Sequence, residues 1–354
     1  MLGSFAIMSP HADAADRRFC RDALQRVSRT FALNTRLLDG TLGESVRVGY
    51  LLCRSADALE DSWPGEPAAL QDRFDRFLLA FAGDAAAGED LAREAGERAG
   101  EAPADLALVA ELPRVMRVHA SLPPAHRAAL ERGVETLARG MCRYATRAAT
   151  RPPNASYLDT EAELDDYCWV VAGCVGVMLT EVFAAEYGAA DPSIETGRLA
   201  LAPVVGQALQ LTNILLDWPN DVRRGRCYLP AEWLDPLGLA PRDLVSGANA
   251  GTIEVARRLE AKARAALARV PDYLDLIPVR RVRYRLFCLW PALWALGSLR
   301  HARRDPDFPW GPRRPRLPRA EIWRAALGST LAVHHRATLR GLYALTARPA
   351  AATG

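Results

Sequence analysis

Tyr50-Leu-Leu-Cys-Arg54-Ser-Ala-Asp57-Ala-Leu-Glu60-Asp61 begins apolar and ends acidic. Positions i, i+3 and i+4 share one face of a helix, so on a helix Asp57, Glu60 and Asp61 form a carboxylate patch beside Arg54. Three crowded acids repel one another unless a cation lies between them. Hard oxygen ligands of this kind suit Mg²⁺, which keeps several waters and is completed by substrate phosphates. The plainer alternative is a solvated acidic helix end. A second stretch favours the metal: Gln207-Ala-Leu-Gln210-Leu-Thr-Asn213-Ile-Leu-Leu-Asp217-Trp-Pro-Asn-Asp221-Val-Arg-Arg-Gly-Arg226-Cys-Tyr-Leu-Pro230. Asp217 and Asp221 are again four apart, with Asn213 one turn earlier. Pro219 puts that shared face in question, because an interior proline removes a backbone bond and kinks a helix. Arg223, Arg224 and Arg226 follow, and arginine forks recognise phosphate oxygens bidentately. Two acidic clusters on separate helices, each with arginines nearby, point to metal-assisted diphosphate chemistry in a helical bundle.

The rest of the chain agrees with helices. Ala, Leu, Arg and Glu dominate, apolar residues recur at spacings of three and four, and strict alternation is rare. The spacing predicts helices over residues 15–36, 43–62, 66–82, 104–118, 123–148, 160–186, 196–218, 253–270, 280–302 and 319–345. Asp39-Gly40, Pro64-Gly65, Pro152-Pro153-Asn154 and Pro236-Leu-Gly238 punctuate them. Residues 83–103, rich in Gly, Ala and charge, read as a mobile loop. Residues 303–318, rich in Pro and Arg, read as an extended connector before one last helix. The expectation is an all-α, single-domain chain, with a flexible N-terminus over 1–14, a catalytic domain over 15–302, and a connector and C-terminal helix over 303–354 packed on the same domain.

Composition excludes several classes. The 354 residues carry 45 basic and 42 acidic side chains, for a net charge of +3, which argues against nucleic acid as a partner. Seven scattered cysteines without a CxxC pair read as reduced thiols in a cytoplasmic protein. Six histidines lie away from them, so no zinc site is expected, and His334-His335 carries no ligand pattern. Met1-Leu-Gly-Ser-Phe-Ala-Ile-Met8 has no basic n-region and only a short apolar stretch, which argues against a signal peptide, and no run reaches the ~18 apolar residues of a membrane span. Cys168 to Leu179 reads as a buried core helix.

At these residues the chain resembles the squalene/phytoene synthase family, the head-to-head trans-isoprenyl diphosphate synthases, over about residues 18–300. Asp57-Ala-Leu-Glu60-Asp61 is similar to that family's first aspartate-rich motif, and Asp217-Trp-Pro-Asn-Asp221 to its second. Ser28-Arg29-Thr30-Phe31 resembles its diphosphate-binding Ser-Arg-Ser-Phe segment. Tyr167-Cys168 with Val171-Ala-Gly-Cys-Val-Gly176 resembles its Tyr-Cys-x-x-Val-Ala-Gly-x-Val-Gly helix. The resemblance implies an isoprenoid-synthase-type bundle around a central apolar cavity. Its Mg²⁺ would be held by Asp57, Glu60, Asp61, Asp217 and Asp221. Prenyl diphosphates would be bound by Ser28, Arg29, Phe31, Tyr50, Arg54, Gln210, Asn213 and Arg226, with Arg223 and Arg224 solvated.

Within the family, Phe19-Cys20 and Phe287-Cys288-Leu-Trp-Pro291 look closest to the squalene synthase branch. Phe287, Cys288 and Pro291 would then serve a second, reductive half-reaction with NADPH; plain helix core is the alternative for them, as it is for Trp290 and Trp294. Tyr167 matches the tyrosine assigned to proton transfer. Its unperturbed pKa near ~10 makes it a poor base unless released diphosphate is the proton sink. The implied activity joins two farnesyl diphosphates through presqualene diphosphate to squalene. Alternatives are a phytoene or dehydrosqualene synthase without reductant, and an inactive prenyl-diphosphate-binding paralogue. Leu216, Asn220 and Val170 depart from the family pattern, where arginine, glutamate and an aromatic residue are usual. No Gly-x-Gly-x-x-Gly loop supports NADPH independently. A monomer is expected, with peripheral contact at the inner face of a membrane because substrate and product are greasy.

Overall fold

The computed structural model describes residues 12–63, 67–98, 100, 103–188, 191–311 and 314–348. Among them there are helices and no strands, as the spacing predicts. Most of the 1–14 segment and the Pro64-Gly65 turn lie outside the described residues. The chain clusters into two compact units, with the boundary between Cys142 and Arg143 inside the Pro124–Ala149 helix.

In the first unit the Gly40–Asp61 helix packs against Ala14–Val27, Pro103–Ala110, Leu112–Ala120 and Leu70–Phe81. Leu51, Leu52, Leu59, Phe74, Phe77 and Leu106 are fully buried. Burial of such side chains contributes roughly 1.5–3 kcal/mol each. Two sequence expectations are corrected here. Residues 83–103 do not form a loop: Ala85–Arg98 is a helix that buries Leu91, Ala92 and Ala95. Its alanines favour the helix, and its apolar residues are too sparse to show a stripe until neighbours cover them. The 15–36 helix breaks at Ser28, whose side chain competes for backbone N–H groups.

In the second unit Pro192–Arg223 is the central element, packed against Ala250–Leu267, Cys174–Tyr187, Val270–Asp275 and Val282–Arg304. The expected 160–186 helix is interrupted by a π-helical turn over Trp169–Gly173. Next to it the backbones come together through glycines. A Cβ on Gly206 would collide with the Ala172 carbonyl oxygen, and one on Gly176 with that of Ala202. Gly206→Ala is expected to lower stability by about 1–3 kcal/mol, because backbone atoms cannot yield as a side chain would. A denaturant midpoint equal to wild type would show that the two helices separate freely.

Glu161–Tyr187 and Pro192–Arg223 are long and apolar enough to cross a membrane, with 44% of each apolar window buried. The last expected helix is two, Arg319–Ala332 and Arg336–Ala347, divided at Val333–His335. Of the 303–318 connector, Arg303 and Arg304 still belong to the Val282–Arg304 helix, and turns follow around a cis Phe308–Pro309 bond. All seven cysteines are described and none forms a disulfide.

Candidate active site

Ser28 caps the Arg29–Thr35 helix. Its backbone is extended (φ −155°, ψ 99°), and its hydroxyl accepts from the Phe31 amide at 3.3 Å. Arg29 is thereby the first helical residue. It is exposed and lines an open cavity of about 620 Å³ with Asp22, Gln25, Arg26 and Ala104. Phe31 stacks on Tyr50, with ring centroids 4.2 Å apart and 19° between planes. Tyr50 also hydrogen-bonds Ser28, and burial pushes its phenol up from its ordinary value. The structure therefore gathers Ser28, Phe31 and Tyr50.

One turn beyond Tyr50, Arg54 lies between two carboxylates. It pairs with Asp57, and its Nε and Nη2 donate to Asp105 at 3.1 and 2.8 Å. Ser62 Oγ donates to the same carboxylate at 3.1 Å. Asp105 escaped the sequence reading, since a lone acid in an Ala/Leu helix carries no spacing signal. Asp57 and Glu60 are half-buried and Asp61 is exposed, all on one unbroken helix. Among the described residues no group of three or more His, Cys, Asp or Glu side chains is arranged to hold a metal ion alone. A hard cation on Asp57 and its neighbours would need water or anion oxygens to complete its shell, which is how Mg²⁺ is usually held.

In the second unit the helix runs through Pro219 to Arg223, so Asn213, Asp217 and Asp221 do lie on one helix. Asp217 and Asp221 are half-buried, Gln210 is partly exposed, and Asn213 is exposed. Burial holds the Asp217 carboxyl above its usual range, against the pull of Arg314 and Arg224. Such a carboxylate is stabilised by any added cation. Arg314 Nη1 lies 2.8 Å from Asp217. Arg223, expected to be merely solvated, donates to the Gly311 and Trp310 carbonyls at 2.9 and 2.5 Å. Gly311, Trp310 and Arg314 thus lie against the second acidic motif, a contact invisible in the composition of the connector.

Past the helix, Gly225 (φ 79°) turns the chain, and the Arg226 amide donates to the Asp221 carbonyl at 2.8 Å. Two residues later Tyr228 stacks on Tyr167, centroids 4.9 Å apart and 20° between planes. Tyr144 meets Tyr167 edge-on at 5.2 Å and donates from its own hydroxyl to Asp166 at 2.6 Å. Tyr167 is buried at 9% exposure. Tyr144 was not singled out in the sequence, and Tyr228 was quoted only as part of a motif.

Phe287 and Cys288 belong to a buried aromatic and hydroxyl cluster. Phe183 stacks on Tyr284 at 3.7 Å and meets Phe287 at 5.5 Å. Tyr273 bridges Thr180 at 2.7 Å and Tyr284 at 2.8 Å, and hydrogen-bonds Cys288. Pro291 sits inside the same helix. Trp290 and Trp294 are core residues, Trp290 donating to Ser329 Oγ at 3.0 Å.

A sequence profile of squalene/phytoene synthases matches residues 24–321. The chain belongs to the squalene/phytoene synthase family. The 15-cis-phytoene synthase of Pantoea ananas is 35% identical over 147 residues, covering 40% of this chain and 41% of that protein. Phytoene synthase 1 of Zea mays is 31% identical over 240 residues, covering 66% and 48%. Squalene synthase BSS of Botryococcus braunii is 28% identical over 228 residues, covering 61% and 44%. The chain thus spans about half or less of the length of these curated relatives. In three dimensions it is similar to the complex of TcSQS with the ligand E5700. The TM-score is 0.74 at 24% identity, with 95% of this chain and 92% of that one covered. A ligand-bound dehydrosqualene synthase gives a TM-score of 0.61 at 20% identity, covering 90% and 96%. The departures from the squalene/phytoene synthase pattern fall mainly inward. Leu216 is 4% exposed and Val170 5%, so both are packing positions here.

Proposed function

We propose that this member of the squalene/phytoene synthase family joins two prenyl diphosphates head to head, and that within the family it makes squalene from farnesyl diphosphate. The observation that carries the condensation is a repeated one: Asp57/Asp61 and Asp217/Asp221 each stand four apart on a continuous helix, each with an arginine on the first acid. The carboxylates fit Mg²⁺ by donor chemistry, and burial of the Asp217 carboxyl favours a cation beside it. Asp57, Glu60 and Asp61 in the first unit, and Asp217 and Asp221 in the second, are the carboxylates that would hold Mg²⁺, which supplies charge neutralisation to a departing diphosphate.

The chain's own part is to bind and orient. Arg29, exposed at a helix start, offers a fork to a diphosphate oxygen, and the Ser28–Tyr50–Phe31 group fixes that helix start. Arg54 is held by two carboxylates through three of its five N–H donors, which leaves two to meet a diphosphate oxygen. Gln210, Asn213 and Arg226 stand on or beside the second motif as polar contacts. Tyr167 offers a hydroxyl whose ring is fixed by Tyr228 and Tyr144. Phe287 and Cys288 are engaged in core packing, and the sequence has no glycine-rich dinucleotide loop. Hydride delivery from NADPH therefore rests on the family likeness alone.

Phytoene or dehydrosqualene as product is the second reading, favoured by the phytoene synthases among the relatives. Product analysis after incubation with farnesyl diphosphate and Mg²⁺, with and without NADPH, separates the two. Squalene is expected only with NADPH. Dehydrosqualene or presqualene diphosphate in both tubes places the chain on the non-reductive branch, and product only from geranylgeranyl diphosphate makes it a phytoene synthase.

A further inference from the structure

The Arg319–Ala332 helix is apolar on two opposite sides, and only one of them is used. Ala326, Ser329 and Ala332 are buried, Ser329 Oγ accepts from Trp290 at 3.0 Å, and Glu321 meets His301 at 2.8 Å. On the other side Trp323 is 60% exposed, Leu327 69% and Leu331 76%. At 3.6 residues per turn, Ala320, Trp323, Leu327 and Leu331 fall within an arc of roughly 80°. Exposed Arg319 and Arg324 flank that arc, one on each side. The next helix carries one further exposed apolar side chain of its own, Leu345 at 58%. Contiguous exposed apolar side chains rimmed by charge mark an interaction surface rather than ordinary scatter.

Charge selects the partner. Residues 314–348 contain seven arginines (314, 316, 319, 324, 336, 340 and 348) and a single acid, Glu321. Arg314 and Arg340 are paired with Asp217, Asp272 and Asp275, while Arg316, Arg319, Arg324 and Arg336 are exposed. A second copy of the chain would bring the same positive charge to this face and be repelled. An anionic lipid surface is complementary. Tryptophan and leucine can enter the headgroup boundary while arginines at the rim extend to lipid phosphates.

We infer that Trp323, Leu327 and Leu331, framed by Arg319 and Arg324, form the face by which this protein docks on an anionic bilayer. Such docking would place an enzyme of greasy substrates where those substrates dissolve. That benefit rests on the proposed condensation, whereas the docking itself does not.

Sedimentation of the full chain with vesicles tests it without any substrate. Vesicles of equal parts phosphatidylglycerol and phosphatidylcholine are compared with pure phosphatidylcholine. The wild type is expected to bind the mixed vesicles and to bind the neutral ones far more weakly. L327E/L331E removes the apolar contact at positions already in solvent and is expected to weaken binding roughly ten-fold or more. R319E/R324E is expected to lose the preference for anionic lipid. Equal binding by L327E/L331E and wild type, or no binding by the wild type, overturns the inference. So does light scattering that shows a wild-type dimer dispersed by L327E/L331E, since a second copy would then cover the face.

Discussion

Asp57→Ala and Asp217→Ala are each expected to lower turnover of farnesyl diphosphate by about a thousand-fold or more, because each removes a carboxylate that would hold charge-neutralising Mg²⁺ at the leaving diphosphate. Stability should hardly move. The Asp57 and Arg54 side chains are about one-third exposed, and Arg54 keeps Asp105 when Asp57 is lost. Asp217 and Arg314 are similarly exposed, at 29% and 38%. Partly solvated pairs of this kind contribute only about 1 kcal/mol or less. The expected pattern is therefore lost diphosphate release with an unchanged unfolding midpoint. Wild-type release in either variant would remove that acid from the metal site. A collapse in stability matching the loss of turnover would make the pair structural instead.

Tyr167→Phe should lower presqualene diphosphate formation by about 10²-fold, the lower range for a group that handles a proton in the transition state. The substitution is informative because of what it retains. The phenylalanine ring can still stack on Tyr228 at 4.9 Å and receive the edge of Tyr144 at 5.2 Å, so packing is nearly conserved while the hydroxyl is gone. Unchanged product yield would show that position 167 contributes only its ring. A useful companion is Tyr228→Leu, which leaves the Tyr167 hydroxyl in place but removes its platform. Partial loss there, beside strong loss in Tyr167→Phe, would separate positioning from proton transfer.

The two acidic motifs of the candidate site were legible in the sequence because one helix carries each. Asp57, Glu60 and Asp61 need only the 3.6-residue period to share a face, and so do Asp217 and Asp221 once the helix continues through Pro219. Ser28-Arg29-Thr30-Phe31 carried its motif in the sequence, although its role as a helix start did not show. Apolar spacing extends in both directions from residue 28, and the break depends on a hydroxyl choosing a backbone N–H. The same limit hid the 85–98 helix and the division at Val333–His335, where local preference was weak and packing decided.

The sequence by itself determined that this chain is helical, and it determined the residues that belong to the two acidic motifs. Both follow from periods of three and four along a single element. Tertiary structure alone decided which partner each of those residues meets. Asp105 reaches Arg54 from 51 positions away. Arg314 reaches Asp217 from the Pro/Arg-rich connector. Tyr228 finds Tyr167, and Trp323, Leu327 and Leu331 are left in solvent. An arginine fork or a tyrosine ring looks the same in a sequence whether it faces water, a carboxylate or another ring. What distinguishes those cases is the desolvation and the charge supplied by neighbours, and folding alone brings those neighbours within reach.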